Sequence, residues 1–167
     1  MELRGKHVIL RELEPTHVGP LLAIVAKPEV AGWWGSIPEG FPLEDEPEAT
    51  RLTIFANDEI AGMIQFTEES DPDYRHAWID IFVDPALHHR GVGVDTGTTL
   101  KRHLLEQRGH HRITTDPAPD NLAAIRLCEK LGFRRVGVMH ACWRDSAQGL
   151  WRDAVLMELV KLPAREG

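Results

Sequence analysis

The sequence predicts an α+β fold, with a mixed central β-sheet of about six to seven strands flanked by about four helices. Two observations carry that prediction. Short runs rich in Val, Ile, Leu and Phe, bounded by Gly, Pro, Asn or Asp, recur at strand length from His7 to Val160. Between them lie stretches with apolar residues at helical spacing, and the two kinds of element interleave.

Taken in order, His7–Glu12 is expected as a strand, followed by a helix that buries Val18, Leu21, Leu22 and Val25. From Lys27 to Pro47 the pattern breaks up into Gly, Pro and acids, the kind of loop that binds ligands from a rigid scaffold. Within it, Glu44, Asp45 and Glu46 with Glu48 read as a solvated helix start. Arg51–Ala56 and Ile60–Glu68 read as strands joined by a hairpin at Asn57, Asp58 and Glu59. A loop over Asp71–Arg75 leads to an apolar strand, Ile79–Val83, that holds one carboxylate, Asp80. A helix is predicted over Val94–Gln107 and a short strand over Arg112–Thr115. A further helix is predicted over Asn121–Leu131, with Asp120 as N-cap and Gly132 as stop. Phe133–Trp143 and Trp151–Val160 close the chain as a hairpin around Arg144–Leu150, giving the order β-α-α-β-β-β-α-β-α-β-β.

At 167 residues, spanning 1–167, the chain is expected to be a single domain that buries roughly 70% of its unfolded surface. The net charge is −7 and no stretch concentrates Lys and Arg, which argues against nucleic acid as a partner and favours a cationic small molecule. Two cysteines, Cys128 and Cys142, are too few for a disulfide framework or a zinc site. The nine histidines include the adjacent pairs His88-His89 and His110-His111, but no metal-ligand spacing, so no metal is expected. The first residues lack an apolar leader, and no apolar run approaches the ~20 residues that span a bilayer; a cytoplasmic protein is expected, with no membrane partner.

The stretch Ala77–Asp95 is the richest in chemistry. A strand bearing Asp80 is followed by a turn at Asp84-Pro85, and then Arg90, Gly91 and Gly93 open a helix. Glycine lets the backbone approach a ligand, and a helix N-terminus carries unpaired donors and partial positive charge; together they suit a nucleotide pyrophosphate. The spacing is neither the phosphate loop, which needs a Lys after the glycines, nor the three-glycine dinucleotide fingerprint. Alternation puts Trp78, Asp80 and Phe82 on one face, and two aromatic neighbours point to a cleft rather than an exposed strand.

This element order, the Arg90-Gly91-Val92-Gly93-Val94 turn and the stretch from Thr114 to Phe133 together resemble the GCN5-related N-acetyltransferase (GNAT) superfamily over nearly the whole chain. Within it the chain looks most like the aminoglycoside 6'-N-acetyltransferases. Trp33-Trp34-Gly35 resembles their substrate-side tryptophans, Ile79-Asp80 their central Ile-Asp pair, and Thr115-Asp116-Pro117-x-Pro119-x-Asn121 their most specific motif. The superfamily pattern Gln/Arg-x-x-Gly-x-Gly/Ala reads here Arg90-x-x-Gly93-x-Asp95. The last position departs, and a carboxylate there should repel a pyrophosphate unless it points outward at the positive helix terminus. Where many relatives carry a tyrosine acid, this chain has Cys128, on the helix face of Ala124, Leu127 and Leu131 and so open to a buried structural reading.

The resemblance implies acetyl-CoA as cosubstrate and direct attack of an amine on its thioester in a ternary complex. Asp80 is then the base, and Cys128 the candidate acid for the thiolate. Backbone groups near Phe82 and Val83 hold the thioester oxygen and the pantetheine arm. The turn from Arg90 through Gly91, Gly93 and Val94 to Asp95 holds the pyrophosphate, and Asn121 touches CoA farther along. Trp33, Trp34, Asp80, Asp116 and Asp153 face a polycationic amine, first an aminoglycoside at its 6'-amine. A siderophore-precursor amine, a polyamine, a protein N-terminus or a non-catalytic acyl-CoA sensor are the alternatives, and a homodimer is compatible with all of them.

Overall fold

The computed structural model describes residues 1–145 and 148–162. Eight strands form one sheet: β1 (Glu2–Arg4), β2 (Val8–Glu12), β3 (Thr50–Ala56), β4 (Glu59–Glu69), β5 (His76–Val83), β6 (Arg112–Thr115), β7 (Arg134–Asp145) and β8 (Leu150–Val160). Their order is β1-β2-β3-β4-β5-β6-β8-β7. Every pairing is antiparallel except β5 with β6, which makes the sheet mixed as expected. The eighth strand is the three-residue β1, too short to leave a pattern in the sequence.

Four α-helices cover the faces: α1 (Val18–Val25), α2 (Pro28–Trp34), α3 (Val92–Arg102) and α4 (Leu122–Leu131). The stretch expected to be irregular from Lys27 therefore begins with a helix, started by Pro28 in its first turn and ended at Gly35 with φ 85°. Helix α3 starts two residues earlier than expected and continues through His103–Gln107 as a π-helical turn. Asn121, not Asp120, caps α4: its side chain accepts from the Ala124 N–H at 3.1 Å, and Gly132 stops the helix with φ 94°.

Alternation along the strands gives the sheet two apolar faces. One core joins Leu52, Ile54, Ile64 and Ile79 to Leu100 of α3 and Ile125 of α4. The other joins Met63 and Phe82 to Leu21 and Ile24 of α1, Val30 of α2, and Phe41. On the first face α3 and α4 cross closely, because a Cβ at Gly93 would stand 3.3 Å from Leu127 and one at Gly97 would overlap Leu131. The acidic run does not start a helix: Glu44, Glu46 and Glu48 are exposed as expected, but the Asp45 side chain is buried against Arg51 of β3. No helix among the described residues is long and apolar enough to cross a membrane.

Candidate active site

The sheet parts in the middle. Strand β5 pairs with β4 over its whole length, from His76 to Val83, yet pairs with β6 only at Ala77 and Trp78. From Ile79 onward the edge of β5 turned away from β4 has no strand partner, so alternate residues of an inner strand aim their backbone groups into the opening, while the Ile81 N–H donates to Asp80 Oδ1. The carbonyl of Val83 is taken by the His88 ring at 3.0 Å. The opening connects the two faces. Ile79 belongs to the α3–α4 side and Phe82 to the α1–α2 side, so the alternate residue Asp80 faces α1 and α2.

The first turn of α3 lies beyond the end of β5. Gly91 is its N-cap in the left-handed region, with φ 82°, and places no side chain on the first N–H groups. Those donors have no intrahelical partner and carry the positive end of the helix dipole. The glycines thus have different work: Gly91 supplies the turn, and Gly93 the room for Leu127 of α4.

Asp95 turns away from this ligand-facing end. Its carboxylate accepts the backbone N–H groups of Lys6 at 3.0 Å, His7 at 2.6 Å and Val8 at 3.1 Å, and its own N–H bonds the Gly91 carbonyl. The departure from the superfamily pattern is therefore a clasp that fastens the β1–β2 turn to α3. Asn121 likewise spends its side-chain oxygen on the α4 cap.

Asp80 is half-buried by surface exposure, yet the protein packed around its carboxyl desolvates it and pushes it up to about 7. The charges of Asp116 and Glu46 push the same way, and the Ile81 N–H, at 2.8 Å from Oδ1, opposes them. Asp116 follows β6 directly and accepts the Trp78 indole N–H at 2.6 Å; burial raises its pKa as well. The two carboxylates thus reach the cleft from strands that part just beyond Trp78.

Cys128 of α4 packs against the α3–α4 core, and burial first, then the charge of Asp80, pushes its thiol up to about 12. Such a thiol stays protonated at all working pH, a proton source only for a strong base.

Trp34 packs edge-on against Phe82 at 4.8 Å and Phe41 at 6.2 Å, whereas Trp33 is 44% exposed at the end of α2. Trp143 of β7 lies against Gly35, which brings the far hairpin to this rim. Asp153 of β8 sits opposite a bulge in β7 and is already engaged, by the His140 ring at 3.0 Å and the Ala141 N–H at 2.8 Å, which hold its carboxyl below the usual range.

Sequence reasoning missed two polar side chains on the Asp80 face, Arg51 and Gln65, and took Glu46 only as part of an acidic run. The signal for the two was register. Arg51 of β3 lies opposite Gln65 of β4, and Gln65 opposite Asp80. A polar residue facing inward in each of three adjacent strands marks one row across a sheet. Among the described residues no cluster of His, Cys, Asp and Glu could hold a metal ion.

Residues 15–133 match the acetyltransferase (GNAT) family, and the chain belongs to that family. It is 26% identical over 155 residues to aminoglycoside N(6')-acetyltransferase type 1 of Klebsiella pneumoniae, covering 79% of this chain and 76% of the relative. It is also 39% identical over 77 residues to a kanamycin resistance protein of Rhizobium radiobacter, covering 43% of this chain and 66% of that one. The fold matches that of AAC(6')-Ib in complex with paromomycin and acetyl-CoA with a TM-score of 0.77, at 24% identity over 93% of this chain and 94% of the other. RimJ of Mycobacterium smegmatis in complex with CoA-disulfide matches with a TM-score of 0.80, at 17% identity over 96% and 86%. The chain is thus an acetyltransferase with acetyl-CoA as acyl donor, and the open edge of β5 with the glycine turn before α3 fits that donor.

Proposed function

We propose that the chain acetylates a primary amine of a small polycationic acceptor, with the 6'-amine of an aminoglycoside placed first. The observation that carries this reading is Asp80: a carboxyl raised to about 7 by burial, at the open edge of β5 and flanked by Asp116. A base of that strength is half ionised near neutral pH and matched to taking a proton from an ammonium group. Likeness to aminoglycoside N(6')-acetyltransferase type 1 of Klebsiella pneumoniae supports the acceptor class.

Acetyl-CoA brings the activated acyl group; the chain's residues place it and the amine. The turn from Arg90 to Val94 holds the pyrophosphate on the first N–H groups of α3, and the free backbone of β5 near Phe82 and Val83 aligns the extended arm. Asp80 receives the proton of the attacking amine, directly or through a water. Asp116 holds a second ammonium group, and exposed Trp33 offers a ring face to sugar or cation. Asp153 joins them only by sharing its charge with His140. The departing thiolate takes its proton from water or from the thiol of Cys128, which burial makes a weaker acid than an ordinary thiol. In this reading the reaction runs in the cytoplasm and removes a drug's cation, which confers resistance.

The test follows thiol release from acetyl-CoA with 6'-amino aminoglycosides, their 6'-hydroxyl analogues, polyamines and N-terminal peptides. Release with the 6'-amino compounds alone supports the reading. Release confined to polyamines or peptides replaces the acceptor, and CoA binding without release from any acceptor makes the chain a sensor.

A further inference from the structure

Arg51 lies on β3 with its side chain only 5% exposed, an unusual place for a guanidinium. Its donors are all spoken for. Nε donates to Gln65 Oε1 at 2.8 Å, Nη1 to the Pro42 carbonyl at 2.6 Å and to Asp45, and Nη2 to Asp45 at 3.0 Å and Glu46 at 3.2 Å. The Phe41 ring stacks at 5.1 Å. One side chain therefore ties the Phe41–Glu46 segment to the sheet next to the row that ends in Asp80.

The bond to Gln65 has a second consequence. A guanidinium has donors only, so the Gln65 oxygen must face Arg51 and the amide N–H2 must face the other way. Gln65 is 5% exposed, its opposite neighbour on β5 is Asp80, and its N–H2 has no hydrogen-bond partner among the described residues yet is not sealed from solvent, so it remains a donor open to an incoming oxygen.

We propose that Arg51 is a positioning residue for acetyl transfer: it locks the Gln65 amide with its N–H2 end turned to the cleft beside Asp80. There the amide donates to an oxygen lying against Asp80, either the water that relays the proton or a hydroxyl of the acceptor. The proposal rests on Asp80 being the base of the reaction, and it adds a fixed donor beside that base.

The test is a cycle of Gln65→Leu, Arg51→Lys and the double variant, assayed with the acceptor found above, with acetyl-CoA affinity and melting temperature measured alongside. Lys cannot reproduce the fork that grips Asp45 and Gln65 together. Each single variant is expected to lose about tenfold in kcat/KM, the worth of one hydrogen bond. The double should lose no more than the worse single, with acetyl-CoA affinity unchanged. Losses that multiply in the double overturn the proposal, as does full activity in Gln65→Leu. If Arg51→Lys fails to fold, Gln65→Glu decides: it keeps the bond from Arg51 and lacks the N–H2, so activity equal to wild type overturns the proposal and a loss equal to that of Leu supports it. If the wild-type protein acetylates no acceptor, the reading of Asp80 as base fails, and the side-chain amide resonances of Gln65 still test the lock. A side-chain amide as rigid as the backbone that becomes mobile in Arg51→Lys upholds the lock, and a mobile amide in the wild type overturns it.

Discussion

Replacing Asp80 by Asn should make the protein more stable at pH 8 and leave its stability nearly unchanged near pH 4. The folded carboxyl keeps its proton up to about 7, whereas in the unfolded chain it releases it near 3.8. Between those values the folded state binds more protons than the unfolded one, so stability falls as pH rises, by about 1.4 kcal/mol per pH unit. Above 7 both states are ionised and the loss levels off. Three decades at that slope give about 4 kcal/mol, and local relaxation and water entry reduce this to about 2–4 kcal/mol. Asn carries no charge and can still accept the Ile81 N–H through its oxygen. Thermal and urea unfolding of both proteins from pH 4 to 9 measures the difference, with a gain on the order of 10 °C in Tm expected for the variant at pH 8. Other titrating groups cancel in the comparison. A difference that does not change with pH, or a variant less stable at pH 8, would falsify the claim that burial of an ionised carboxylate strains this site.

The same carboxyl sets the pH–rate profile: kcat/KM should rise about tenfold per pH unit below about 7 and level off above it, and Asp80→Asn should lose most turnover while still binding acetyl-CoA. Cys128→Ala separates the two readings of the thiol. A fall in kcat of a hundredfold or more assigns it the acid's task; a change within about threefold, with about 1 kcal/mol lost in stability, leaves it structural. Asp95→Ala releases three backbone N–H groups and should cost about 2–4 kcal/mol by urea unfolding. Its acetyl-CoA affinity should stay within about threefold, since its carboxylate points away from the turn; an affinity gain of tenfold or more would show that Asp95 repels the pyrophosphate.

What was legible in the sequence followed local pattern. Alternation gave the strands and placed Trp78, Asp80 and Phe82 on one face, and the glycine-bearing turn gave the start of α3. The second helix of the element order was not located at α2, because seven residues with Pro28 and Gly32 leave no period to read, although a proline in the first turn is a start signal. The partners of Asp95 lie 87 to 89 positions away, so no local pattern could show that its carboxylate closes a turn. Asp45 read as solvated because a charge run usually is; the clue lay in Arg51, at an inward position of an apolar strand, which needed a buried counter-charge. The cleft itself came from where β5 and β6 part, a property of pairing that no single segment encodes.

Strand β7 has a different significance. Its outer edge pairs with nothing among the described residues, it runs from Arg134 to Asp145, and Val136 and Val138 stand half exposed on it. A long bare strand with such side chains is a template for runaway stacking of one chain on another. The register break between Met139 and Trp143, with Ala141 at φ 49°, interrupts that template at midpoint, and Arg134 and Arg135 charge its start. The kink that anchors Asp153 thus doubles as a guard on solubility. A chain straightened there would lose its protection against precipitation before it lost its fold.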